Sequence, residues 1–179
     1  MNTATLLIII LIVVAVIVIA LVAFFVFRRR RQERARQEYG PEYERTVEER
    51  GSEREAEREL TERRERMESE VQPLSEESRR RYDEQWQQVE RTFVDDPRKA
   101  LDDADRVVAE ILTERNFPTD TRREASEGIG VMHPGVVEDF REAQRTYQDA
   151  AGTEGGGDLE KMRQAIQKYR SVYERVREE

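Results

Sequence analysis

The sequence predicts an all-α protein in three parts: an N-terminal transmembrane helix, a charged helical connector and a C-terminal bundle of four or five helices. An unbroken apolar run opens the chain, a stretch dominated by Glu and Arg follows, and apolar residues then recur every three or four positions. No segment alternates apolar and polar residues as a strand does. The predicted parts are a tail at 1–5, a transmembrane helix at 6–27, a basic juxtamembrane segment and connector at 28–72, and a bundle at 73–179.

The apolar run at 6–27 has 22 residues and contains no Gly, Pro, Ser or charged residue. A helix of that length reaches roughly 33 Å, which is enough to cross a hydrocarbon core of about 30 Å. The alternative is a secretory signal peptide, in which a shorter apolar stretch follows basic residues. Here the basic residues come after the run. We therefore expect a retained anchor, and its lack of ionisable residues argues against a transport pathway.

Six arginines follow the run, at Arg28, Arg29, Arg30, Arg31, Arg34 and Arg36. Because basic residues next to a membrane helix stay in the cytoplasm, they predict a single pass with the N-terminus outside and the C-terminal domain cytoplasmic. A second role, compatible with the first, is binding of anionic lipid headgroups at about 1 kcal/mol per Arg. The preference for Arg over Lys indicates a GC-rich bacterial genome, hence a bacterial cell membrane.

Composition excludes several classes of site. The chain carries a formal net charge of -8, which argues against nucleic acid as a partner. It has no Cys, so disulfides and zinc-thiolate sites are excluded, and its single His excludes multi-His metal sites. We expect no cofactor.

Two breaks divide the connector, one at Gly40-Pro41 and one at Gly51-Ser52, where Ser52 is a candidate N-cap. Strong helix formers fill 53–70. Leu60, Met67 and Leu74 are spaced by seven and form half of a coiled-coil seam. We expect a solvated helical spacer; the alternatives are a weak coiled coil and disorder.

Capping residues predict where the bundle helices begin. Ser75, Asp96 before Pro97, and Asp158 each stand ahead of an apolar stripe. A short helix around 121–127 is limited by Gly128-Ile129-Gly130, and 151–157 is expected to be a flexible linker. The stripes include Tyr82, Trp86, Val89 and Phe93; Leu101, Ala104, Val108, Ile111 and Leu112; Val136, Val137, Phe140, Ala143 and Tyr147; and Leu159, Met162, Ile166, Tyr169, Tyr173 and Val176.

The candidate catalytic and metal sites have simpler explanations. His133 could serve Ser126 as a base, but no nucleophile elbow surrounds that serine. The aspartates at 95–105 lack the alternating ligand spacing of a calcium loop, and Asp102 and Asp103 suit the N-terminal end of a helix. The glycines at 152–157 lack the lysine of a phosphate loop. The sequence therefore predicts a protein that is not an enzyme.

Several segments together resemble an uncharacterised group of small bacterial proteins that are frequent in actinobacteria and usually labelled membrane or secreted proteins. These segments are YGPEYERTVEERGS at 39–52, PLS at 73–75, FVDDPRKALDDADRVV at 93–108, HPGVVEDFREA at 133–143 and DLEKMRQAIQKYRSVYE at 158–174. In that group an Asp commonly precedes the His-Pro pair, whereas Met132 stands there in this chain. The resemblance implies no activity, cofactor or partner.

The layout of anchor, spacer and bundle predicts a non-enzymatic protein that tethers or scaffolds a cytoplasmic protein partner at the membrane. The candidate contact residues are Tyr39, Tyr43, Trp86 and Tyr147, with Trp86 either a core residue or an exposed anchor. The alternative is a membrane-anchored sensor whose helical domain binds a small ligand or metal. The apolar helix has no GxxxG motif, and a weak homo-oligomer is left as a further alternative.

Overall fold

The computed structural model describes residues 3–151 and 158–178, which form eight helices and no strand. The helices are α1 Thr3–Tyr39, α2 Pro41–Arg50, α3 Glu53–Glu70, α4 Glu76–Asp95, α5 Pro97–Glu114, α6 Arg122–Met132, α7 Val137–Ala151 and α8 Leu159–Glu178. They fall into two compact units, Met1–Glu38 and Tyr39–Glu179. The predicted all-α class is confirmed.

Helix α1 continues without a break through the apolar run and the arginines to Tyr39. In its apolar part the described side chains are Leu11 and those at 16–27, and all are exposed. Among the residues that the structure describes, no helix is both long enough and apolar enough to cross a membrane. The predicted transmembrane helix at 6–27 is thus left without support from the structure.

The two breaks in the connector lie where the sequence places them. Helix α1 ends at Tyr39, and α2 begins at Pro41, in the first helical position that proline favours. Helix α2 ends at Gly51, whose φ of 68° is a left-handed conformation that glycine adopts without strain. Ser52 holds the N-cap position of α3, but its side chain makes no capping hydrogen bond, so that detail of the prediction is wrong.

The expected solvated spacer is instead part of the folded unit. Helix α3 packs against α2 and α6, and the three residues spaced by seven, Leu60, Met67 and Leu74, are 0%, 4% and 5% exposed. A single apolar line is too narrow for a coiled coil, but it is sufficient to dock one helix on a neighbouring surface. The folded unit therefore begins at Tyr39, not at Pro73.

Five helices, α4 to α8, follow Pro73 in the described part of the chain. Helix α5 packs against both α4 and α8, and α7 packs against α8. The predicted caps are present: Ser78 N donates to Ser75 Oγ at 3.0 Å, Lys99 N to Asp96 Oδ1 at 3.0 Å, and Glu160 N to Asp158 Oδ1 at 3.0 Å. The predicted linker at 151–157 lies, apart from Ala151 at the end of α7, outside the described residues.

Helix α6 differs from its prediction. It starts with a capping box between Thr121 and Glu124 and runs through both glycines to Met132. Gly128 and Gly130 do not break the helix. Both are buried, and at each of them a neighbouring side chain comes close to the backbone. A Cβ on Gly128 would lie 3.2 Å from Met67 Cε of α3. These glycines mark contact with α2 and α3, not the end of a helix.

Candidate functional site

The residues predicted to contact a partner are mostly inside the folded unit. Tyr39, Tyr43 and Trp86 are 5%, 2% and 5% exposed, and Tyr147 is half-buried against the core. Trp86 stacks on the Tyr173 ring with centroids 4.5 Å apart. Tyr39 and Tyr43 are buried, so their side chains do not form an exposed contact surface, and of the two alternatives for Trp86 the structure supports the core residue.

The arginines that follow the apolar run are exposed wherever the structure describes their side chains. Arg29, Arg30, Arg34 and Arg36 are exposed, while the side chains of Arg28 and Arg31 lie outside the described residues. Arg29 pairs with Glu33 one helical turn later at 3.5 Å. Such an exposed pair contributes little to stability.

Ser126 and His133, the candidate catalytic pair, pack against other side chains of the folded unit. Both are buried, at 4% each. The Ser126 hydroxyl accepts a hydrogen bond from Arg141 Nε at 2.8 Å, and the His133 ring lies on Phe117 with centroids 6.1 Å apart. Both side chains thus make packed contacts in the interior of the folded unit.

The aspartates near the start of α5 accept hydrogen bonds from basic side chains and from a tyrosine. Asp103 accepts from Lys99 Nζ at 2.7 Å and from Arg106 at 2.6 Å. Asp105 accepts from the Tyr169 hydroxyl at 2.5 Å, and burial together with this carboxylate raises the pKa of Tyr169 far above its ordinary value. Over the described residues, no three Asp, Glu or His side chains are grouped so that they could hold a metal ion.

The charged centre of the folded unit is Glu42, in the first turn of α2, whose side chain is only 2% exposed. Its Oε2 accepts a short hydrogen bond from Arg141 of α7. Arg45 and Arg63 approach its Oε1 at 3.9 and 3.8 Å. A buried carboxylate needs such partners, because an unpaired charge in the interior is strongly unfavourable. Glu42 therefore joins α2, α3 and α7.

Gly130 of α6 makes room for this carboxylate. A Cβ at Gly130 would lie 2.8 Å from Glu42 Oε2 and 3.1 Å from Glu42 Cδ, closer than atoms pack. Sequence reasoning missed Glu42, since one Glu in a stretch rich in Glu gives no signal of burial. The signal present in the sequence was the pair of glycines inside a helix that begins with a strong cap.

A wider network of charges surrounds this centre. Glu127 accepts from Arg123 Nε at 2.6 Å and lies 3.3 Å from Arg63. The hydrogen bond to Glu127 raises the pKa of Arg123 above its ordinary value. Burial lowers the pKa of Arg141, but its hydrogen bonds to Glu42 and Glu138 outweigh that effect and leave it raised. Both arginines therefore stay charged.

Replacing Gly130 with alanine tests this close approach. We expect a loss of roughly 1–3 kcal/mol in the free energy of unfolding, because the added methyl group displaces a carboxylate held by Arg141. The better helix propensity of alanine offsets about 1 kcal/mol of that loss. The measurement is urea unfolding of the full chain, followed by circular dichroism. Gly135→Ala is the control, because nothing lies within 4 Å of a Cβ there. Equal stability of the two variants would contradict the contact.

A groove of about 380 Å³ opens beside Glu42, between α2, α6 and α7. Its lining is rich in guanidinium groups and consists of Arg45, Arg122, Arg123, Ser126, Glu138, Arg141, Gln144, Arg145 and Gln148. Nothing in the sequence predicted it, because its arginines come from three helices and lie up to 100 positions apart. It is a concave surface lined by charged and amide side chains and one serine.

No known family matches the chain, and neither a characterised protein nor a solved structure with significant similarity to it was found, so a functional conclusion rests on the geometry and the sequence themselves.

Proposed function

We propose that the chain is a single-pass, membrane-anchored, non-enzymatic protein that tethers or scaffolds a cytoplasmic protein partner at the bacterial cell membrane. The observation that carries the proposal is the apolar run at 6–27. In the described part of that run, the large apolar side chains of α1 are between 47% and 74% exposed. A soluble protein rarely leaves so large a contiguous apolar surface in water, whereas lipid covers it without penalty.

The six arginines that follow support an orientation. Basic residues next to a membrane helix favour the cytoplasmic side, and this supports a cytoplasmic position for the compact unit at Tyr39–Glu179. Anionic headgroups attract the same arginines and hold the juxtamembrane segment at the surface. The bilayer is thus the first partner in the proposal.

The folded unit supplies the contact with the protein partner. Because Tyr39, Tyr43 and Trp86 are buried, the contact falls to exposed faces instead. Val94 is 81% exposed and Leu159 is 51% exposed, and the rest of the surface is dominated by charged side chains. Such a polar surface favours a charge-complementary, salt-sensitive contact over a permanent one.

A topology experiment tests the anchor and its direction. Reporters that are active only outside the cytoplasm are fused to either end of the full chain. We expect activity from the N-terminal fusion and none from the C-terminal fusion. An active C-terminal fusion would contradict the orientation. Crosslinking in cells then tests the tether, which is contradicted if no protein is joined to the full chain.

A second candidate function is a membrane-anchored sensor whose helical unit binds a small ligand. The groove between α2, α6 and α7 favours it, because its volume of about 380 Å³ lies in the range of small-molecule sites. A ligand bound there contacts all three helices.

A further inference from the structure

We infer that the groove between α2, α6 and α7 binds a small anion bearing phosphate groups. Five arginines line it, Arg45 from α2, Arg122 and Arg123 from α6, and Arg141 and Arg145 from α7. Glu138 is the one carboxylate among its lining residues. Guanidinium groups are thus the main charged groups of its lining. The inference extends the sensor function proposed above and rests on it.

Three of the carboxylates that pair with these arginines are largely buried, whereas Glu49, which lies 3.3 Å from Arg45 and 3.2 Å from Arg123, is 40% exposed. The side chain of Glu42 is 2% exposed, that of Glu127 is 15% exposed and that of Asp105 is 18% exposed. None of the three is among the lining residues of the groove. In the pairs made by Glu42, Glu127 and Asp105, the arginine lines the groove and the carboxylate does not.

These pairs also fix the arginine side chains before any ligand arrives. Arg141 donates to Glu42, to Ser126 and to Glu138, which leaves its guanidinium group one orientation. Arg122 is held between Asp105, at 3.3 Å, and the face of the Tyr147 ring, 5.1 Å from its centroid. Side chains ordered in advance lose little conformational entropy on binding, so the site is preorganised for a ligand.

The chemistry of the lining selects phosphate. Guanidinium groups match phosphate oxygens with paired, charge-assisted hydrogen bonds, and each phosphate offers several acceptors. Gln144, Gln148 and the Ser126 hydroxyl add neutral groups at the same surface. Arg145 is an exposed residue of the lining. It is the arginine best placed to report on a ligand without disturbing the fold.

Calorimetry with inorganic pyrophosphate tests the inference. The full chain, held in nanodiscs of neutral lipid, is titrated at constant ionic strength. We expect saturable binding that Arg145→Gln weakens about tenfold, since one charge-assisted hydrogen-bonding group is lost. The matched control is Arg80→Gln, which removes the same charge from an 81% exposed side chain of α4 and should leave the affinity unchanged.

Two outcomes would overturn the inference: no saturable binding of pyrophosphate at millimolar concentration, or equal weakening by Arg145→Gln and Arg80→Gln. Equal affinity for sulfate and pyrophosphate at the same ionic strength would overturn the preference for phosphate. Neither result bears on the anchor, because membrane insertion and orientation are measured separately by the reporter fusions. If the reporter fusions contradict the proposed anchor, the result of the calorimetry is likewise unaffected.

Discussion

Replacing Arg141 with methionine is expected to lower the free energy of unfolding by about 3–5 kcal/mol, because the Glu42 carboxylate stays buried without its nearest partner. Arg45 and Arg63 remain, but at 3.9 and 3.8 Å from the other oxygen. The Ser126 hydroxyl also loses its donor. Urea unfolding of the full chain, followed by the fluorescence of its only tryptophan, Trp86, provides the measurement.

The control removes an arginine from an exposed network of ion pairs. Arg170 pairs with Glu90 and Glu174 at 2.9 Å each, with its side chain 56% exposed, so Arg170→Met should cost at most about 1 kcal/mol. The double variant Glu42→Leu with Arg141→Met should recover much of the loss, since apolar residues of similar size replace a buried pair with little change in stability. If Arg141→Met and Arg170→Met cost the same, the central role of Glu42 is contradicted.

The second large effect concerns Trp86. We expect Trp86→Ala to reduce the free energy of unfolding by about 3–5 kcal/mol, because it leaves a cavity where the indole stacks on Tyr173 at 4.5 Å. Circular dichroism during urea unfolding of the full chain measures the change. Were Trp86 an exposed contact for a partner, the variant would keep its stability and lose only binding.

An exposed residue on the same helix provides the comparison. Val94 is 81% exposed near the end of α4, so Val94→Ala should change stability by at most about 0.5 kcal/mol. In the unaltered protein, acrylamide should quench the fluorescence of Trp86 weakly until the chain unfolds. Strong quenching in the folded state would contradict the buried position.

Local signals in the sequence predicted the helices well. Ser75 and Asp96 mark the starts of α4 and α5, and Gly40 and Gly51 separate α1, α2 and α3, because capping and backbone conformation depend on a few neighbouring residues. The number of helices after Pro73 follows from the same signals. Their apolar stripes also identified most of the buried residues of α5 and α8.

Contacts between distant residues could not be predicted in the same way. Glu42 and Arg141 are 99 positions apart, and neither differs in type from the many Glu and Arg around it. The docking of α3 depended on whether Leu60 and Met67 meet an apolar surface, which only the tertiary fold supplies. The burial of Tyr39 and Tyr43, which the sequence indicates as candidate contact residues, depends on the same tertiary contacts. The arginine groove is built from three helices and could not be predicted either.

The proposal as a whole depends on the apolar run at 6–27 acting as an anchor. The most direct measurement is extraction of cell membranes with alkaline carbonate, followed by detection of the full chain and of a variant carrying Val16→Arg and Ile19→Arg. Two arginines near the middle of a spanning helix make insertion unfavourable by several kcal/mol. The account predicts that the unaltered chain stays in the membrane pellet and that the variant is released. Release of the unaltered chain into the supernatant would contradict it.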